Sequence, residues 1–187
     1  MKTNSLLINQ IFPTSGITTF IKNILLILFG SFLLAVSSKI QLPFWPVPMT
    51  MQTFIVFLIA MGYGWRLSFF TLTAYILEGA LGLPVFATGA GLAYLMGPTA
   101  GYIYGMLLAS IVIGFLSEKG FSHTYLKSLV SLLIGSIIIF VLGVGYLGFI
   151  IGFEKAINFG LLPFIPSELF KIALAVAIIP SLSKYFK

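Results

Sequence analysis

The sequence predicts an all-α integral membrane protein with six transmembrane helices. Three observations predict it. Of 187 residues, 59% are hydrophobic and only 7% charged, with a mean hydropathy of +1.14. Soluble domains carry about 25% charged residues, so this chain could not cover a water-facing surface. Apolar runs recur along the whole length, and six spans of about 20 residues would leave only short connections. The basic residues gather in alternate connections, the pattern of a positive-inside membrane protein. One transmembrane domain, 1–187, is expected, with a short cytoplasmic segment at about 1–19.

The first span is expected at about 20–40. Residues 21–38 end in AVSS and resemble a signal peptide. The apolar run is long for that role and mixed residues precede it, so a retained helix is expected. The second and third spans, about 50–65 and 66–82, are short and joined through Gly64-Trp65-Arg66. The fourth, about 97–117, follows a glycine- and proline-rich stretch; the fifth, about 124–152, follows the polar SEKGFSHTYLK; the sixth is about 167–185.

With the N-terminus inside, the inner flanks hold Lys2, Lys22, Arg66, Lys119, Lys127, Lys184 and Lys187. The outer flanks hold Lys39 and Lys155, with Lys171 near the start of the last helix. This asymmetry predicts an N-in, C-in arrangement. The net charge of +6 then reflects topology, and nucleic acid is not an expected partner.

The three outer connections are KIQLPFWPVPMT, GLPVFATGAGLAYLMGPT and EKAINFGLLPFIPSE. They carry Pro43, Pro46, Pro48, Pro84, Pro98, Pro163 and Pro166, seven of nine prolines. Non-helical backbone at membrane depth persists only where protein buries it or a water-filled cavity receives it. Structured outward-facing loops capping a cavity are therefore expected. Phe44, Trp45, Phe86, Tyr94 and Tyr102 either line that cavity or belong to an interfacial aromatic belt.

A charge inside a membrane helix costs about 2.5–3.5 kcal/mol on insertion scales, so each needs a partner or a task. Glu168 and Lys171 in PSELFK are three residues apart and share a helix face. Glu78 lies twelve residues beyond Arg66, about 18 Å along a helix and at a similar depth. Glu168 and Lys171 can form a structural ion pair with each other, or the charged groups can form a proton relay or a polar anchor in an apolar ligand pocket. In the last case the carboxylates accept ligand N–H groups and the lysine donates.

Other chemistry is poorly represented. There is no cysteine, hence no disulfide or thiolate. The lone His123 lacks ligand partners at metal spacing and reads as a loop histidine, so no metal site is expected. No G-x-x-x-x-G-K-[ST], H-E-x-x-H or G-x-S-x-G occurs, so no catalytic residues are assigned. Internal repeats of the transporter kind are not evident. Ser31-x-x-x-Ala35 and Gly101-x-x-x-Gly105 have small-residue spacing that serves either internal packing or a partner helix.

VPMTMQTFIVFLIAMGYGW, YILEGALGLPVFATGAGLAYLMGPTAGYIYG and LLPFIPSELFKIALA, within residues 47–105 and 161–175, resemble the biotin-transporter S component family (BioY-like). These are the substrate-binding subunits of energy-coupling factor (ECF) transporters. The resemblance implies biotin uptake across the bacterial cytoplasmic membrane, without an enzymatic step or a cofactor. It implies assembly with a transmembrane coupling protein and two ATPases, which supply the energy. Ser31 and Ala35 would face the coupling protein, although the family favours alanine at the first position. Glu168 and Lys171 would contact the ligand, where the family usually has P-G-D before the lysine and this chain has Pro166-Ser167-Glu168. Glu78 is the candidate for a polar ligand residue ending the third helix. Thr50 and Gln52 are expected near the site, with Phe86, Tyr94, Trp45 and Tyr102 under the ligand's apolar parts. Alternatives are an S component for another vitamin or lipoate, a standalone facilitator, and a membrane enzyme acting on acyl or lipid substrates.

Overall fold

The structure is a computed structural model describing residues 6–11 and 17–185. Lys2, Lys187 and Pro13, used in the counts above, lie outside the described residues, as does most of segment 1–19. The fold is helical: α1 (Leu7–Ile11), α2 (Ile17–Lys39), α3 (Gln52–Tyr63), α4 (Trp65–Ala80), α5 (Ala100–Glu118), α6 (Tyr125–Ile151), α7 (Phe153–Gly160) and α8 (Phe164–Tyr185). Each of the six expected spans coincides with one helix. Four of them, α2, α5, α6 and α8, are long and apolar enough to cross a bilayer. At 12 and 16 residues, α3 and α4 measure about 18 and 24 Å, shorter than the hydrocarbon layer. They meet at Gly64 alone, whose φ of +79° lies in a region that favours glycine.

The proline-rich connections contain regular structure that periodicity does not reveal, including a short 3-10 turn at Tyr94–Met96 between α4 and α5. Between α2 and α3, β1 (Gln41–Leu42) pairs antiparallel with β2 (Met49–Thr50), Gln41 opposite Thr50, and a cis peptide joins Trp45 to Pro46. Between α6 and α8 lies the amphipathic α7. The last helix begins at Phe164, three residues earlier than expected, with Pro166 in its first turn, where a missing N–H leaves no helix bond unmade.

Helix α5 sits at the centre, with 61% of its span buried, whereas α2 is peripheral, with 17% buried. The glycine pair of α5 permits its close contact with α6. A Cβ at Gly105 would lie 2.9 Å from Ile139 Cα, and one at Gly101 would lie 2.5 Å from the Leu142 carbonyl oxygen. The α2 pair also packs internally. Ser31 is wholly buried and donates to the Glu78 carboxylate on α4, and Ala35 packs against the core. Ser31 is turned toward α4, and Ala35 lies half-buried beside the exposed face of α2 that carries Leu25, Phe29 and Phe32. The small Ser31 thus serves the α2–α4 contact, and Ala35 remains at the edge of the core.

Candidate functional site

The proline-rich connections converge on one cavity at the end of the bundle where α3 and α8 begin and α4 ends. The hairpin supplies Val47, Pro48 and Thr50, the start of α3 supplies Gln52 and Thr53, and α8 supplies Phe164, Glu168 and Lys171. Tyr75 of α4, Phe86 and Tyr94 of the following connection, and Tyr102 of α5 complete most of the wall.

One pole is charged. Glu168 and Lys171 are 4% and 3% exposed, one turn apart on α8, with Nζ to Oε2 at 3.4 Å. Thr53 Oγ1 donates to Glu168 Oε2 at 2.8 Å, and Ser136 Oγ of α6 donates to Oε1 at 3.0 Å. Lys171 Nζ also donates to Thr53 Oγ1 at 3.1 Å. Both carboxylate oxygens are thus held, and the two charges compensate each other, as buried charges must. An ammonium has three donors and these contacts use two, so the pair can present both an acceptor and a donor to one polar group.

A second polar chain runs along the rim. Thr50 Oγ1 donates to Gln52 Oε1 at 3.1 Å. Gln52 Nε2 donates to Tyr75 Oη at 2.7 Å, and Tyr75 Oη donates to the Val85 carbonyl at 3.1 Å. The remaining walls are aromatic. The fully buried Phe86 stacks on Tyr94 with centroids 4.8 Å apart and meets the edge of Tyr75 at 5.4 Å. Tyr102 stacks on Phe164 at 6.3 Å and donates to the Gly160 carbonyl at 2.8 Å, tying α5 to the end of α7. Flat apolar walls with a few convergent polar groups at one pole are the make-up of a small-molecule site.

Seven of the residues expected from the sequence line this cavity together: Thr50, Gln52, Phe86, Tyr94, Tyr102, Glu168 and Lys171. Two do not. Trp45 is 79% exposed at the hairpin tip, and Phe44 beside it packs on Phe164 at 6.3 Å. Glu78 turns toward Ser31 of α2; Tyr75, one turn earlier, occupies the cavity instead. Thr53, Ser136 and Phe164 were not anticipated. One helical turn separates Phe164 from Glu168, so a helical register through Glu168 signals Phe164; Thr53 follows Gln52 in sequence, but register alone does not place it. Ser136 resembles other buried membrane serines, such as Ser110 and Ser131, and nothing local distinguishes it. His123 lies in the α5–α6 turn beside Ser183, and no group of three metal-ligating side chains occurs among the described residues.

The BioY family matches residues 4–187. "Biotin transporter BioY" of Thermotoga maritima is 43% identical over 155 residues, covering 81% of this chain and 90% of that protein. "Biotin transporter BioY2" of Lactococcus lactis subsp. cremoris is 35% identical over 174 residues, covering 86% and 93%. A crystal structure of the S-component for biotin from an ECF-type ABC transporter superposes with a TM-score of 0.80. That match spans 91% of this chain and 95% of the other at 24% identity, a likeness of fold.

Proposed function

The chain belongs to the BioY family, and from that premise we propose that it captures biotin in the cavity between the hairpin, α4, α5 and α8 and takes part in its uptake across the cytoplasmic membrane. It is a multi-pass membrane transport protein rather than an enzyme. The observation that carries the site is the buried Glu168–Lys171 pair at the pole of an aromatic cavity. Biotin's fused rings and acyl chain are apolar and suit the Phe86–Tyr94 and Tyr102–Phe164 walls. Its ureido N–H groups suit the Glu168 carboxylate, and Lys171 donates to the ureido oxygen or the carboxylate. Thr50 and Gln52 border the same space.

In this reading α2, α3, α4, α5, α6 and α8 make six crossings, with both ends inside and the cavity facing out. The distribution of lysine and arginine supports that orientation. The chain contains no P-loop, and we assign its energy supply to a transmembrane coupling protein and two ATPases that bind as separate subunits.

The test is equilibrium binding of labelled biotin to the purified protein in nanodiscs. Tight binding is expected, with strong loss in Lys171→Ala and in Glu168→Ala. Full affinity in both variants would overturn the site. Displacement by lipoate or another vitamin, but not by unlabelled biotin, would overturn the ligand.

A further inference from the structure

Lys39 is one of two lysines that the charge asymmetry leaves on the outer side, and it has a specific contact there. Its ammonium, at the end of α2, donates to the backbone carbonyl of Phe86. Ser38 Oγ lies 2.7 Å from the Val85 carbonyl and shares its one proton between that carbonyl and the Ala35 carbonyl of its own helix, and Gln41 Nε2 donates to the Ala87 carbonyl at 3.2 Å. Three consecutive carbonyls of the α4–α5 connection are therefore each held by a side chain from one short segment. The middle bond has a charged donor, and charge-assisted bonds are roughly twice as strong as neutral ones. The segment so held bears the Phe86 ring, which is fully buried in the cavity wall. Gly79 leaves room for that ring: a Cβ there would lie 2.1 Å from Phe86 Cζ.

We propose that Ser38, Lys39 and Gln41 form a latch that positions Phe86 over the ligand and sets how long the ligand stays. None of the three lines the cavity; they act through the loop backbone and are positioning residues. The proposal rests on the reading of this cavity as the biotin site. A loop already ordered by the latch does not lose its freedom again when ligand arrives, and a ligand under Phe86 leaves only when the loop lifts.

The experiment measures association and dissociation rates of labelled biotin on nanodisc-embedded wild type, Lys39→Met and Lys39→Arg. Amide hydrogen exchange of residues 83–91 is followed in parallel without ligand. Lys39→Met is expected to raise the dissociation rate about tenfold, equivalent to about 1.4 kcal/mol, with association no slower than in wild type, since the same opening admits the ligand. Exchange in 83–91 should accelerate while that of α5 and α6 stays at the wild-type rate, and Lys39→Arg should restore most of both. A dissociation rate at the wild-type value, or unaltered exchange in 83–91, overturns the latch. If Lys39→Met does not fold, Ser38→Ala with Gln41→Leu carries the same expectations. If wild type itself binds no biotin, the ligand reading fails, and the exchange comparison alone decides the latch.

Discussion

Glu168 is costly to bury and is held by several donors. The residue is 4% exposed, and its carboxylate accepts from two hydroxyls and one ammonium. Taking away one member of such a pair leaves an uncompensated charge, at a cost of about 3–5 kcal/mol. Lys171→Met is therefore expected to lower the unfolding temperature and abolish binding. Adding Glu168→Gln to it should recover most of the stability and none of the binding. Thermal unfolding followed by tryptophan fluorescence, with a parallel binding assay, separates the two effects. Ser136→Ala removes one hydrogen bond to the buried carboxylate and should cost about 1.5–3 kcal/mol. At this scale the charged residues were legible, because an ionised group inside an apolar helix is conspicuous. Charge alone misplaces Glu78, however. A carboxylate at the end of α4 and a phenol one turn earlier have the same claim on the cavity until the neighbouring helix is known. Ser31 draws Glu78 away, and Tyr75 takes the place.

Among the elements, helices were legible wherever an apolar run exceeded about four turns and a proline or glycine ended it. The hairpin was not, because two-residue strands exist only through their pairing partner. Nor was α7, whose eight residues are too few to establish a period. The connection from α4 to α5 is ordered by contacts rather than by propensity. Its Gly91 N–H donates to the Gly79 carbonyl at 2.7 Å, and Gly79 also makes room for the Phe86 ring. Gly79→Val should leave α4 formed and expel that ring, weakening biotin binding by about tenfold or more, about 1.4 kcal/mol per decade. Unaltered helical circular dichroism with reduced affinity is the expected pair of results. Wild-type affinity would mean that Phe86 does not press on the ligand.

The whole molecule presents apolar side chains outward along its long helices, among them Leu25 and Phe32 of α2, Ile137 and Val141 of α6, and Leu169 and Phe170 of α8. Such a surface is tolerable only against lipid or another apolar partner. The proposed orientation is testable directly, because the chain has no native cysteine. Lys155→Cys should react with a membrane-impermeant maleimide added to intact cells, and Lys119→Cys should react only after the cells are opened. The reverse pattern would turn the molecule over. The brevity of α3 has a further consequence in that orientation. Its 12 residues reach about 18 Å from the inner side, against about 30 Å of hydrocarbon. Gln52, its first residue, borders the cavity; with the inner end of α3 at the membrane boundary, a ligand held in the proposed site would lie about 12 Å beneath the outer boundary. Capture is then already a partial crossing, and the barrier still separating the vitamin from the cytoplasm is about as thick as α3 is long.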